Sequence, residues 1–207
     1  MAISDKTRLS WSSDHQRYLL GGHPVDPKDI RSWIDRMVAA TADRLLGYGE
    51  KIRDGRMNLS RWQTLSAKEI KNLHVASFTI ATGGKSELGF TGLARLGDVV
   101  HFQLEHLRDF ATSMPAVDDR DNRIPARLAS YAAAAVGTYE NECLDRSIRF
   151  GLSIARRVTA HGVESCEFCL DQEDIGWQDI NEIPRIGDSP CQARCNCAIE
   201  FEKVTPS

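Results

Sequence analysis

Cysteine is the residue type whose spacing in this chain could do chemistry. Five of the six cysteines lie between positions 166 and 197, as Cys166-Glu-Phe-Cys169 and then Cys191-Gln-Ala-Arg-Cys195-Asn-Cys197. A Cys-x2-Cys pair followed about twenty residues later by a second group is the spacing of a structural zinc site, each half delivering two thiolates from a tight turn to one tetrahedral ion. The second group holds three cysteines where two suffice. Cys195 and Cys197 would share one face of a strand, and Cys191 stands about one helical turn before Cys195. The expected ligands are four of Cys166, Cys169, Cys191, Cys195 and Cys197: the first two with two of the other three. Spacing leaves open which two.

A structural ion also answers an energetic need. From Glu164 to Phe201 the sizeable apolar groups are Phe168, Leu170, Ile175, Trp177, Ile180, Ile183, Ile186, Ile199 and Phe201. So few cannot readily offset an ordering cost of roughly 1.5 kcal/mol per residue. A structural zinc site contributes on the order of 10–16 kcal/mol. The rival is a disulfide or a set of free thiols. Met1-Ala-Ile-Ser-Asp-Lys6 lacks the apolar stretch of a secretory signal, so an intracellular, reducing compartment is expected and disulfides are disfavoured.

Catalytic zinc is not expected. The nucleobase deaminase signature, His-x-Glu and then Pro-Cys-x-x-Cys, fails in both halves: His161 to Glu164 is one residue too long, and three residues separate Pro190-Cys191 from Cys195. Four thiolates would leave no position for water. Thr82-Gly83-Gly84-Lys85-Ser86 fails as a phosphate loop because position 79 is Thr, and it reads as a helix C-cap. His101 and His106, with Glu105 between, lack the i, i+4 spacing of a helical zinc pair and read as solvated polar residues. His74 and Cys143 lie in apolar stripes and read as packed groups. No serine has a partnered His and Asp, so no enzyme activity and no small-molecule substrate are expected.

Charge weighs against nucleic-acid binding by the cysteine segment. From Glu164 onward there are 10 acids and 3 bases, leaving 23 bases and 19 acids for residues 1–163. Phosphate binding requires the opposite balance in the tail, although the modest excess elsewhere suits an acidic partner or a DNA backbone. The 207 residues, 27% charged and 42% hydrophobic, suit one good-sized core with a small appendage. No apolar run reaches the length of a membrane span, so no membrane partner is expected.

The elements that must position the cysteines are mainly helical. Residues 1–25 read as a polar, irregular N-terminal arm with a short hairpin through Arg17–Leu20. Asp26-Pro27 is an N-cap and first helical residue. Ile30, Ile34, Met37, Val38, Thr41 and Leu45 follow at helical spacing, and the pattern runs out near Gly47 to Gly55. A second helix should begin after Ser60 and stop at Gly83-Gly84. A third runs from Leu93 to Phe110, ending before Pro115, and 117–123 is a charged loop. Pro125 opens a long helix closing near Gly151, in which Ala132 to Ala135 let a neighbour approach closely. Leu152–Val158 and Cys197–Phe201 suit short strands that bracket the cysteines and should pair. The expectation is a bundle of about four long helices over 26–151, followed over 152–207 by a small β-hairpin and zinc-knuckle module.

In this order the features resemble the phage Mu F-type minor head proteins, the phage head-morphogenesis family. The resemblance runs through Trp62-Gln63, Thr82-Gly83-Gly84, Gln103, Leu107-Arg108-Asp109-Phe110-Ala111 and the Tyr-containing, Ala-rich helix. It is sharpest at Arg157-Val158, Cys166-x2-Cys169, Ile183-Pro184-Arg185-Ile186-Gly187-Asp188-Ser189-Pro190-Cys191 and Cys195-Asn196-Cys197-Ala198-Ile199-Glu200-Phe201. Many members carry a His-Pro pair before Cys-Arg-Cys. Here Ser189-Pro190-Cys191 precedes Cys195-Asn196-Cys197, which suggests Cys191 in the histidine's place and keeps the ligand identities open.

The resemblance implies a structural virion protein, a minor capsid component in few copies. It would associate with the portal protein and other head proteins, in the host cytoplasm during assembly and then in the virion head near the portal. Contact with packaged double-stranded DNA is a further implication. Relatives can carry toxin or enzyme domains after this unit, for which six residues past Phe201 leave no room. The alternative from another class is a zinc-containing nucleic-acid-binding regulatory protein.

Overall fold

The computed structural model describes residues 9–14, 17–85, 88–114, 123–159, 165–192, 195 and 197–202. The readings made at 1–6, Ser86, 115–122, His161, Glu164 and 203–207 fall outside them. The chain is mainly helical with small antiparallel sheets. Among the described residues, no helix is long and apolar enough to cross a membrane.

Strands β1 (Leu9–Ser12), β2 (Arg17–Leu20) and β3 (His23–Val25) form an antiparallel sheet in that order. Among the described residues the expected irregular arm is instead a regular sheet, with the hairpin enlarged to three strands. Tyr18 explains why: it is buried, meets Trp11 edge-on at 5.0 Å, and accepts a hydrogen bond from Arg146 at 2.7 Å. The Arg146 guanidinium lies 3.6 Å from the Trp11 ring centroid, a stacked cation holding the sheet to the helices.

Four long helices follow: α1 (Pro27–Arg53), α2 (Leu59–Thr82), α3 (Phe90–Ser113) and α4 (Arg123–Arg149). Asp26 caps α1 by accepting from the Lys28 N–H at 2.8 Å, and Asn58 caps α2 by accepting from the Arg61 N–H at 2.8 Å. Helix α1 stays helical through Gly47 and Gly49. A Cβ on Gly49 would press on Leu128, so its absence lets α4 approach closely. Helix α4 packs against both α1 and α2, with Ala132 and Ala135 fully buried where the short side chains were expected to admit a neighbour. Trp62, Ile70, Leu73, Leu107, Leu128 and Tyr131 fill the main core.

Helix α2 ends at Gly83 in the left-handed region, φ 94°, as the C-cap reading predicts, and Gly84 follows at φ 114°. A Cβ on Gly83 would overlap Trp11, and one on Gly84 would overlap the Leu9 carbonyl. Those glycines let β1 lie on the end of α2. Gly84→Ala should lower stability by roughly 1–2 kcal/mol from the backbone conformation alone. The denaturation midpoint measures this, and an unchanged midpoint would show that Gly84 does not hold that positive φ.

Candidate metal centre

The cysteine-bearing segment is built on β4 (Ile154–Val158), which pairs antiparallel with β6 (Ala198–Glu202) on one side and β5 (Gln178–Asp179) on the other. The two expected strands do pair. They are not a hairpin, because their connection holds helix α5 (Glu167–Ile175) and β5. The alternation of a strand turns Ala155 and Arg157 inward, and both are fully buried. Ile180, Ile183 and Ile186 fold over the sheet and join Leu144 of α4 in one apolar cluster. That contact fixes the segment to the helices.

The first cysteine pair does not sit in a tight turn. Cys166 is the N-cap of α5 and Cys169 lies in its first turn, both at the electropositive helix end that favours thiolates. The missed helix follows from Glu167-Phe-Cys-Leu-Asp-Gln-Glu-Asp-Ile, whose short apolar pattern is masked by acidic residues. From the other side, Cys191, Cys195 and Cys197 descend onto the same point.

All five sulfurs converge there, in two triads that share Cys169. Cys166, Cys169 and Cys191 lie mutually within 4.8 Å, as do Cys169, Cys195 and Cys197. The separations are 3.6 Å for Cys166–Cys191, 3.8 Å for Cys169–Cys191 and 3.8 Å for Cys169–Cys195. A zinc–sulfur bond of about 2.3 Å gives a tetrahedron with edges of about 3.8 Å, the length of these three separations. A disulfide would require about 2.05 Å, and all five cysteines are free thiols. The cluster could hold a metal ion.

The thiols differ in their hold on protons. Hydrogen bonds from Cys197 draw Cys195 down to about 4 despite its burial. The same pairing, with burial, pushes Cys197 up, and burial pushes Cys191 up to about 12. A bound divalent ion supplies the positive charge that lets several such thiols ionise together.

Sequence reasoning missed the residue nearest this chemistry. Arg157 has no exposed surface, and its Nη1 lies 3.5 Å from Cys169 Sγ and 3.9 Å from Cys195 Sγ. Its Nη2 donates to the carbonyl oxygens of Pro184 and Arg185. The available signal was strand alternation: an arginine at an inward position of the strand that opens a cysteine module.

A second buried pair ties β6 to the helices. Glu140 of α4 accepts from Arg31 Nη1 at 2.7 Å through one oxygen and from the Ile199 N–H at 3.2 Å through the other. Arg31 Nη1 also donates to the Cys197 carbonyl at 3.4 Å. Burial raises the Glu140 carboxyl to about 7, against the pull of Arg31 and the Ile199 amide.

The remaining candidates lie apart from the sulfurs. Cys143 is buried in α4, 3.5 Å from the Tyr18 hydroxyl. His74 is fully buried, 2.8 Å from Thr138 Oγ1, and burial lowers its imidazole to about 4, as suits a packed histidine. His101 is exposed and pairs with Glu105 at 3.1 Å. No protein-family model, curated protein or solved structure matches the chain.

Two outcomes follow from this geometry. Cys169→Ser, which removes the sulfur common to both triads, should leave residues 165–202 open to limited proteolysis while far-ultraviolet dichroism keeps the signal of α1–α4. A mutant tail as resistant as the wild type would refute a sulfur staple. Glu140, raised from 4.5 to about 7, is held protonated more readily when folded. Its contribution is complete below pH 4.5 and is lost as pH rises through 7. Glu140→Gln should therefore flatten that part of the stability profile, and superimposable profiles would contradict the assignment.

Proposed function

We propose that this chain is a structural minor head protein of the phage head-morphogenesis type, and that its cysteine cluster binds zinc as a structural ion. The carrying observation is the cysteine segment itself, where the resemblance is sharpest and five sulfurs meet under the β4–β6 pairing. Cys169, Cys195 and Cys197 are almost without exposed surface, and Cys166 and Cys191 are half-buried. Four sulfurs would complete the coordination of an ion held there and leave no position for a substrate. Shape, not turnover, is the role this suits.

In this reading the partners are the portal protein and other head proteins, with packaged double-stranded DNA as a further contact. The helical body offers a surface for a protein partner. Phe90 and Phe102 of α3 are 89% and 57% exposed, and Leu93 lies on the same helix. Phe102 also lines a groove of about 1060 Å³ between α3, α4 and the segment at 185–188, whose walls mix Val99 and Tyr131 with the charged Arg95, Arg127 and Asp145. Exposed aromatics beside such a groove are the kind of feature that marks an interaction face.

Cross-linking inside intact particles should join this chain to portal and head proteins, and Phe102→Asp should reduce its incorporation several-fold while the isolated chain stays folded. Particles that contain the chain with no head-protein neighbour, or that form without it, would refute the assignment. The second reading, a zinc-containing nucleic-acid-binding regulator, rests on the 23 bases against 19 acids of residues 1–163. A DNA affinity that falls steeply with salt would favour it.

A further inference from the structure

We infer that Arg157 is the counter-cation of the sulfur cluster, and that the ligands beside it are Cys166, Cys169, Cys191 and Cys195, with Cys197 a fifth thiol that does not ligate. This rests on the metal reading above and says which side chains carry it.

Four thiolates around one divalent ion leave a net charge of −2, which is costly to bury unless a cation lies close. Arg157 is placed for that purpose. Its guanidinium is fully enclosed, and among the described residues its hydrogen-bond partners are two sulfurs and two carbonyl oxygens, with no carboxylate. Arginine cannot shed its proton in a protein interior, so the charge must be answered where it sits. The Pro184 and Arg185 carbonyls hold the plane of the fork and direct Nη1 at Cys169 and Cys195. Those two sulfurs are thereby the ones nearest the buried charge.

The sulfur separations complete the set. Cys166 to Cys191, Cys191 to Cys169 and Cys169 to Cys195 form an unbroken path of 3.6, 3.8 and 3.8 Å. Each step has the edge length of a zinc–thiolate tetrahedron, about 3.8 Å. Cys197 also lies within 4.8 Å of Cys169 and Cys195, but its backbone is tethered to the helices. Its carbonyl accepts from Arg31, and two residues on, the Ile199 N–H is held by Glu140. The position of Cys197 beside Cys195 suits a hydrogen-bond donor to a ligand sulfur, a contact that tunes a metal without joining it.

The test uses the full-length protein purified with its metal, measured by elemental analysis, chelator competition and cobalt-exchange absorption. Cys197→Ala should keep one ion per chain and the tetrathiolate cobalt spectrum, whereas Cys166→Ala, Cys191→Ala and Cys195→Ala should each lose that spectrum. Arg157→Met should weaken metal binding by about 10–100-fold, the usual effect of removing a supporting group. Arg157→Lys, which keeps the charge but not the fork, should recover part of that loss and serves if the methionine variant does not fold.

Loss of the ion in Cys197→Ala, or two ions per chain bridged through Cys169, would overturn the ligand assignment. Unchanged affinity in both Arg157 variants would overturn the counter-cation. A wild-type chain without any ion would remove the metal reading itself, a failure recognisable before any variant is made.

Discussion

A guanidinium with no exposed surface and the sulfurs of five cysteines occupy one small volume between β4, α5 and β6. Neither is easily buried alone. An unpaired buried cation costs several kcal/mol, and so does a group of ionised sulfurs. Together they are complementary, and a divalent ion at their centre would leave a residual negative charge for Arg157 to meet. The carbonyls of Pro184 and Arg185 accept from the Arg157 Nη2, so the run of residues carrying Ile183 and Ile186 is held by the same side chain. Hydrophobic burial of this segment is thereby coupled to its sulfur chemistry.

The same logic governs how the segment meets the helices. Leu144 contributes the apolar part of the contact, and Arg31 with Glu140 contributes a polar part that reads the backbone of β6 at Cys197 and Ile199. A carboxylate that accepts from a strand amide fixes register, because a one-residue slip would turn every side chain of β6 to the other face. Further along the same end of α4, Arg146 is stacked on Trp11 and bonded to Tyr18 and to the Ala81 carbonyl. Two small sheets are thus fastened to one helical body through arginines, Arg146 buried and Arg31 partly buried, a use favoured by the planar, permanently charged fork.

Much of this was legible from residue order. Asp26-Pro27 and Gly83-Gly84 mark helix ends by their own backbone requirements, and the apolar periods of α1 and α2 return as Ile30, Ile34, Leu45, Trp62, Ile70 and Leu73 in the core. The pairing of β4 with β6 was readable because both alternate. Helix α5 was not, since nine residues with four acids give too little apolar period to distinguish a helix from a turn. The three-stranded N-terminal sheet was hidden for another reason: its order depends on Arg146, more than a hundred residues away. Arg157 and Glu140 were missed likewise, because a charge buried by distant partners looks locally like a charge on the surface.

The central claim is that an ion held by the sulfurs shapes the carboxyl-terminal part of this protein. Mass measurement of the intact chain under native conditions, followed by chelation, tests it most directly. The account predicts one bound zinc per chain, sulfurs that resist alkylation until the ion is withdrawn, and unfolding of residues 165–202 upon its loss. A chain carrying no ion, whose thiols are all reduced and whose tail remains folded, would contradict it.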